Sequence, residues 1–200
     1  MSNALTMKHI SVSSMDNNCY LLCSGNEGLL IDAADDAPAI FAMAEEAGVT
    51  ITGVVTTHRH HDHVRALSEV LDATGAQHWA SFLDAPALPV APDVELHHGD
   101  HVEWNGFSFP VAILRGHTPG GLAVITEIDG VHHIFIGDSL FPGGLGKTSS
   151  ESDFVRLYKD VTERIFDIFD DRTVIHPGHG ASTTLGEERP HLSVWWDRRW

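Results

Sequence analysis

Positive charge is scarce in this chain: 12 Lys and Arg stand against 28 Asp and Glu in 200 residues, for a formal net charge of −16. No local basic patch interrupts that excess, which argues against nucleic acid as a partner, since a phosphate backbone would be repelled. Cysteine is scarcer still, with only Cys19 and Cys23. At i and i+4 of an expected strand they would stand about 13 Å apart at 3.3 Å per residue, too far for a disulfide. Neither repeats a zinc-finger spacing. No apolar run approaches the roughly 20 residues needed to cross a bilayer. The N-terminus also lacks the basic start and apolar core of a signal peptide, so a cytoplasmic protein without membrane partners is expected. There is no internal repeat, no low-complexity tract and no Gly-x-Ser-x-Gly nucleophile elbow. Two hundred residues with 42% hydrophobic content suit one globular domain over residues 1–200.

Histidine, in contrast, is abundant at 15 residues, and it clusters. Thr57-His58-Arg59-His60-His61-Asp62-His63 follows the β-branched run Gly53-Val54-Val55-Thr56 and precedes a helical pattern starting near Val64. It therefore reads as a loop from a buried strand into a helix. Four candidate ligands lie within it: His58, His60, Asp62 and His63. Neutral imidazole and carboxylate suit zinc and other divalent first-row ions. The competing reading is a polar loop that is His-rich by chance.

Three later stretches weigh against chance. Gly116-His117-Thr118-Pro119-Gly120, Gly137-Asp138-Ser139 and Pro177-Gly178-His179-Gly180 each set one ligand-type residue beside glycine after an apolar run. Glycine permits tight turns and close backbone approach, and loops at strand ends carry chemistry on a rigid scaffold. Five His and two Asp are then available, enough for two ions with open positions for water. His-x-His-x-Asp-His followed by a lone His, a lone Asp and a lone His resembles the metallo-β-lactamase superfamily of hydrolases. Asp16 to Tyr20 is similar to the Asp-Asn-x-x-Tyr stretch of its glyoxalase II-like members.

Along the chain, residues 7–13 alternate as a strand, and Met15-Asp16-Asn17-Asn18 is expected to turn. Cys19–Cys23 and Gly28–Asp32 form a hairpin around residues 24–27. Pro38–Ala47 is a helix closed by Gly48, and Val64–Thr74 a helix closed by Gly75. A short strand at Gln77–Ala80 leads into a Pro-rich surface connection bordering the site mouth. His97, His98 and His101 are read as solvent-facing, and His132 and His133 as non-ligands on opposite strand faces. Phe107–Leu114 delivers His117, and Leu122–Ile128 with His132–Ile136 makes a hairpin turning at Asp129-Gly130. Phe154, Leu157, Val161, Ile165 and Ile168 form one helical stripe. Thr173–His176 leads to His179, and Leu185–Trp196 closes as a helix, with Trp195, Trp196 and Trp200 covering a core edge or a partner surface. Pattern alone gives a mixed α/β protein.

The resemblance implies more: a four-layer αββα sandwich, with His58, His60 and His117 on one metal, Asp62, His63 and His179 on the other, and Asp138 bridging them. Zinc is the first choice, with iron or manganese as alternatives. A hydroxide held between the two ions is the implied nucleophile, with Asp62 the catalytic residue that orients it. Asp32 is implied as a support for the metal loop, against a plain turn Asp. A small thioester is the implied substrate. The chain departs from glyoxalase II in Val64-Arg65-Ala66, where a glycine pair is usual, and in ending some twenty residues after His179. Asp138 in place of the Cys of the commonest β-lactamases argues against antibiotic hydrolysis. A mononuclear iron persulfide dioxygenase, a lactonase and a non-enzymatic metal-binding domain are the rival readings. Lys147, at the end of a glycine-rich loop leaving Asp138, is a candidate anchor for an anionic part of the substrate.

Overall fold

A computed structural model describes residues 4–199. The first half forms a six-stranded sheet: β1 (Thr6–Val12), β2 (Asn17–Ser24), β3 (Glu27–Ile31), then helix α1 (Ala37–Ala47), β4 (Thr50–Thr56), helix α2 (Leu67–Thr74), β5 (Gln77–Ser81) and β6 (Val94–Leu96). These strands lie in sequence order, antiparallel across β1–β2–β3 and parallel from β3 to β6. The second half builds another six-stranded sheet from β7 (His101–Trp104), β8 (Phe107–Leu114), β9 (Gly121–Ile128) and β10 (Val131–Gly137), with the small hairpin β11 (Leu140–Phe141) and β12 (Gly144–Leu145) following it. Helix α3 (Glu151–Val161) then leads to β13 (Val174–Pro177), β14 (Thr183–Thr184), α4 (Leu185–Glu188) and α5 (Leu192–Arg198). The order in that sheet is β14-β13-β10-β9-β8-β7, with β13 parallel to β10.

The period-two alternation of each strand sorts its side chains into layers. In β2, Cys19, Leu21 and Cys23 pack with Ile40 and Met43 of α1 and Leu67 and Val70 of α2. Tyr20 and Leu22 point the other way, into a core shared with Phe109, Val111, Val124 and Phe135 of the second sheet. The opposite faces of β8 to β10 present Leu114, Ala123, Ile134 and Ile136 to Phe154, Leu157 and Val161 of α3 and to Trp195 of α5. Helices outside and two sheets face to face give the expected αββα sandwich. Cys19 and Cys23 are buried free thiols, and burial pushes the Cys19 thiol up to about 12. No helix among the described residues is long and apolar enough to cross a membrane.

Several local expectations need correction. Asn17 and Asn18 open β2 instead of completing the turn, because their side-chain amides bond across the molecule and not to their own backbone. Helix α2 starts at Leu67, three residues after Val64; residues 61–63 form one 3₁₀ turn, and the Arg65 and Ala66 amides donate to the carbonyls of Ala34 and Ala33. Ile168 is 67% exposed and leaves the stripe, since α3 widens into a π turn at Thr162–Phe166 and ends before it. The Pro-rich connection contains a 3₁₀ turn, and β6 and β7 flank residues 97–100. His97, His98 and His101 are exposed, as read from the sequence. The C-terminal segment is broken into α4, a 3₁₀ turn and α5. Trp195 is buried, Trp196 is partly exposed, and Trp200 lies outside the described residues.

Candidate metal centre

The ligand-type residues arrive on loops at one edge of the sandwich, at the ends of β4, β8, β10 and β13. Each loop is shaped by close approach. A Cβ on Gly178 would run into the Asp138 carboxylate and stand 2.6 Å from His63 Cε1, and a Cβ on Gly146 would run into the Asp138 carbonyl. These glycines fill sites where a larger residue has no room. Gly137 has φ 55°, which turns the chain sharply into Asp138.

All seven candidates converge. His58, His60 and His117 place ligand atoms within 4.8 Å of one another, as do Asp62, His63 and His179. Asp138 lies between the two groups: its Oδ2 is 3.5 Å from His117 Nε2, 3.7 Å from His58 Nε2 and 3.3 Å from His179 Nε2, and its Oδ1 is 3.4 Å from His63 Nε2. Asp62 Oδ2 sits 3.2 Å from His179 Nε2 and 3.4 Å from His63 Nε2, so it does not cap a helix before Val64.

Proton bookkeeping orients four of the five imidazoles, because each Nδ1 meets a partner that fixes its tautomer. His117 Nδ1–H donates to the Lys147 carbonyl at 2.7 Å, and His179 Nδ1–H to the Met15 carbonyl at 2.8 Å. His63 Nδ1–H donates to Asp32 Oδ2 at 3.0 Å. The fourth case runs through Thr57, whose hydroxyl donates to Asp32 Oδ2 at 2.7 Å and therefore accepts from His58 Nδ1–H at 3.0 Å. In all four, Nε2 is the ring nitrogen left to face the others. His58 Nε2, His117 Nε2 and Asp138 Oδ1 are buried without a hydrogen-bond partner, a costly arrangement for polar atoms unless a cation is to be held. His63 Nε2 and His179 Nε2 stand 3.1 Å apart, close to the ~3.3 Å expected for two nitrogens on one tetrahedral zinc at about 2.0–2.1 Å each. The donor set therefore fits divalent ions.

The electrostatics agree. Burial and the neighbouring His63 drive the His58 pKa well down, which keeps that ring neutral. Burial also opposes charge on His63, yet Asp138 and Asp32 overcome it and push its pKa up to about 10, so without an ion a proton takes the place on Nε2 that a cation would take. Asp138 stays ionised despite burial because His117, His179 and His63 surround it. Asp32 also falls within 4.8 Å of His58 and His63, but its carboxylate is taken up by Thr57 N–H, the Thr57 hydroxyl and His63 Nδ1. It acts as the loop support expected of it. His132 packs edge-on to Phe169, and His133 Nδ1 lies 2.9 Å from His176 Nε2, both away from the cluster.

Three contributors escaped the sequence reading. Asn17 Nδ2 donates to Asp62 Oδ2 at 3.0 Å, Asn18 Nδ2 donates to the Pro177 and Gly180 carbonyls on either side of His179, and Asp84 accepts the amides of Arg59 and Gly120. The Asp16–Tyr20 resemblance pointed at the first two without giving them a task. Nothing local marked Asp84. Lys147 is exposed and lines a groove of about 370 Å³ with Phe141–Leu145 and Arg198.

The layered sheets and this cluster define a metallohydrolase of the αββα class. The sequence model of the Metallo-beta-lactamase superfamily matches residues 15–184. The chain belongs to that superfamily. It is 29% identical to "Hydroxyacylglutathione hydrolase GloC" of Haemophilus influenzae, over 92% of this chain and 95% of that one. It is 34% identical to the hydroxyacylglutathione hydrolase of Pseudomonas entomophila, over 66% of this chain but only 51% of that enzyme, so the chain spans about half of that longer relative. Among solved structures, a metallo-beta-lactamase from Staphylococcus aureus superposes with a TM-score of 0.84 at 25% identity, covering 98% of this chain and 63% of that one. TTHA1623 "in a di-iron-bound form" gives 0.74 at 28% identity, covering 91% and 96%.

Proposed function

We propose that the protein hydrolyses a small thioester, in the manner of glyoxalase II, at a centre of two divalent ions. The observation that carries this reading is the set of four inward-facing Nε2 atoms around Asp138, each on a ring whose Nδ1 is already committed elsewhere. His58, His60 and His117 would hold one ion and Asp62, His63 and His179 the other, with Asp138 shared between them. Zinc is the first choice for these nitrogen and carboxylate donors, and iron or manganese suit them as well. Ions bound there supply Lewis acidity, lowering the pKa of water and polarising a thioester carbonyl.

The chain's own residues do the rest. Asp62 holds its carboxylate toward the centre, fixed by Asn17, and can orient an attacking water. The Lys147 carbonyl fixes His117, and the residue lines the groove beside Phe141, where its ammonium can meet an anionic group of the substrate. The names of GloC and the Pseudomonas entomophila enzyme support a hydroxyacyl thioester as the substrate class.

Elemental analysis of purified protein, combined with turnover of a small thioester panel, tests the reading. Two ions per chain and thioester cleavage are expected. A single tightly held iron, no second ion on titration and no thioester turnover would transfer the reading to an iron oxygenase using the His58, His60 and His117 trio.

A further inference from the structure

The loops that bring the candidate ligands together are tied by two sets of buried side chains with no member in common. Asp84 is 1% exposed and sits in the turn after β5, far from the ligands in sequence. Its Oδ2 accepts the Arg59 amide at 3.1 Å, between His58 and His60, and its Oδ1 accepts the Gly120 amide at 2.9 Å, three residues past His117. Asp84 is itself held, its amide donating to the Ser81 carbonyl and its carbonyl accepting from Ala87. The contact is tight: a Cβ on Gly120 would collide with Ser81 and stand 2.6 Å from Leu83 Cβ. One carboxylate thus joins the two loops that carry the first trio.

The other set serves the second trio. Asn17 donates to Asp62 Oδ2, and its own Oδ1 accepts the Ser13 hydroxyl at 2.6 Å, which fixes the amide the right way round. Asn18 uses both amide hydrogens to hold the Pro177 and Gly180 carbonyls at 2.9 Å each, and its Oδ1 accepts His9 Nε2–H at 2.7 Å. The Asn18 amide adds a bond to the Gly178 carbonyl at 2.8 Å. Asn17 and Asn18 are buried, and every polar atom of both side chains is committed.

We propose that Asp84 and the Asn17–Asn18 pair are positioning residues, each assembling one half of the metal centre independently of the other. The inference rests on the two-ion reading above. It gives the two ions separately adjustable affinities, since Asp84 reaches the chain at Arg59, between His58 and His60, and past His117, while Asn17 and Asn18 reach Asp62 and the segment around His179. Outer-sphere partners of ligands commonly change metal affinity by about 10–100-fold.

The test is zinc binding by metal-free full-length chain, measured by competition with a chromophoric chelator. Asp84→Asn and Asn17→Leu are each combined with His179→Ala, which leaves the first trio, and with His117→Ala, which leaves the second. Asp84→Asn is expected to weaken zinc about 10–100-fold in the His179→Ala background and to leave it unchanged in the His117→Ala background. Asn17→Leu is expected to do the reverse. Should Asp84→Asn not fold, Asp84→Glu replaces it with the same expectation, because its longer stem misplaces both acceptors. Equal weakening in both backgrounds, or none in either, overturns the inference. A parent chain that binds no zinc overturns the metal reading and this inference with it. Two ions in the parent with affinities unmoved by the variants overturn this inference alone.

Discussion

Asp32→Asn should disarm the metal centre while leaving the fold almost intact, because it reverses the direction of a proton chain. Asp32 is 2% exposed. Its Oδ1 accepts Thr57 N–H, and its Oδ2 accepts both the Thr57 hydroxyl and His63 Nδ1–H. In the Asn variant the remaining oxygen must face Thr57 N–H, which can only donate, so the new NH₂ takes the Oδ2 position. Its two hydrogens then point at Thr57 Oγ1 and His63 Nδ1, which must both accept. His63 is forced to carry its proton on Nε2. The displaced Thr57 hydroxyl hydrogen turns to His58 Nδ1, 3.0 Å away, and drives the His58 proton to Nε2 as well. Nε2 of both rings then carries the single proton of a neutral imidazole, aimed at the cation position. Binding an ion then requires breaking one hydrogen bond at each ring, about 1–3 kcal/mol apiece, or roughly 5- to 150-fold per ion. The fold keeps every buried donor partnered and loses only charge assistance, about 1–2 kcal/mol, or a few degrees of melting temperature for a chain of this size. Asp32→Ala differs: it strands the same donors and leaves an alanine at φ 61°, and it should be strongly destabilised. Chelator competition and metal-free melting curves measure the two effects. An Asp32→Asn chain with parental affinity for both ions would refute the tautomer argument.

Other expectations follow from the same geometry. Gly178→Ala should abolish uptake of the ion assigned to Asp62, His63 and His179 and weaken the other, with circular dichroism unchanged, since the added methyl displaces His63 and the shared Asp138; normal zinc stoichiometry would contradict it. His176 is held at about 3 by burial, then by His133 and His9. Below about pH 6.5 the unfolded chain therefore binds a proton that the folded one refuses, and stability is lost as pH falls from 6.5 towards 3, at about 1.4 kcal/mol per pH unit. His176→Phe should flatten that window in urea titrations, and parallel pH profiles for the two chains would count against the assignment. Lys147→Ala should raise KM about fivefold for a carboxylate-bearing thioester and hardly at all for a neutral one. That is a loss of about 1 kcal/mol, small because the side chain is exposed. Equal changes for both substrates would return Lys147 to a structural role through its carbonyl.

The amino-acid sequence by itself determined where the chemistry resides. Ligand types with glycine neighbours, placed after apolar runs, mark loops at strand ends wherever those strands pair, and His58 to His179 could be picked out on that basis. The strands were legible because runs such as 19–23 and 111–114 are buried on both faces and read as continuous apolar stretches. Local pattern failed where long-range bonds override it. Asn17 and Asn18 have turn chemistry but spend their amides on partners 45 to 162 positions away. The start of α2 is delayed by amides bound to residues 33 and 34. Which nitrogen of His58, His63, His117 and His179 faces the centre, and how Asp84 joins two loops, depended only on the tertiary structure. A hydrogen bond is set by the few ångströms between donor and acceptor, and sequence separation carries no information about that distance.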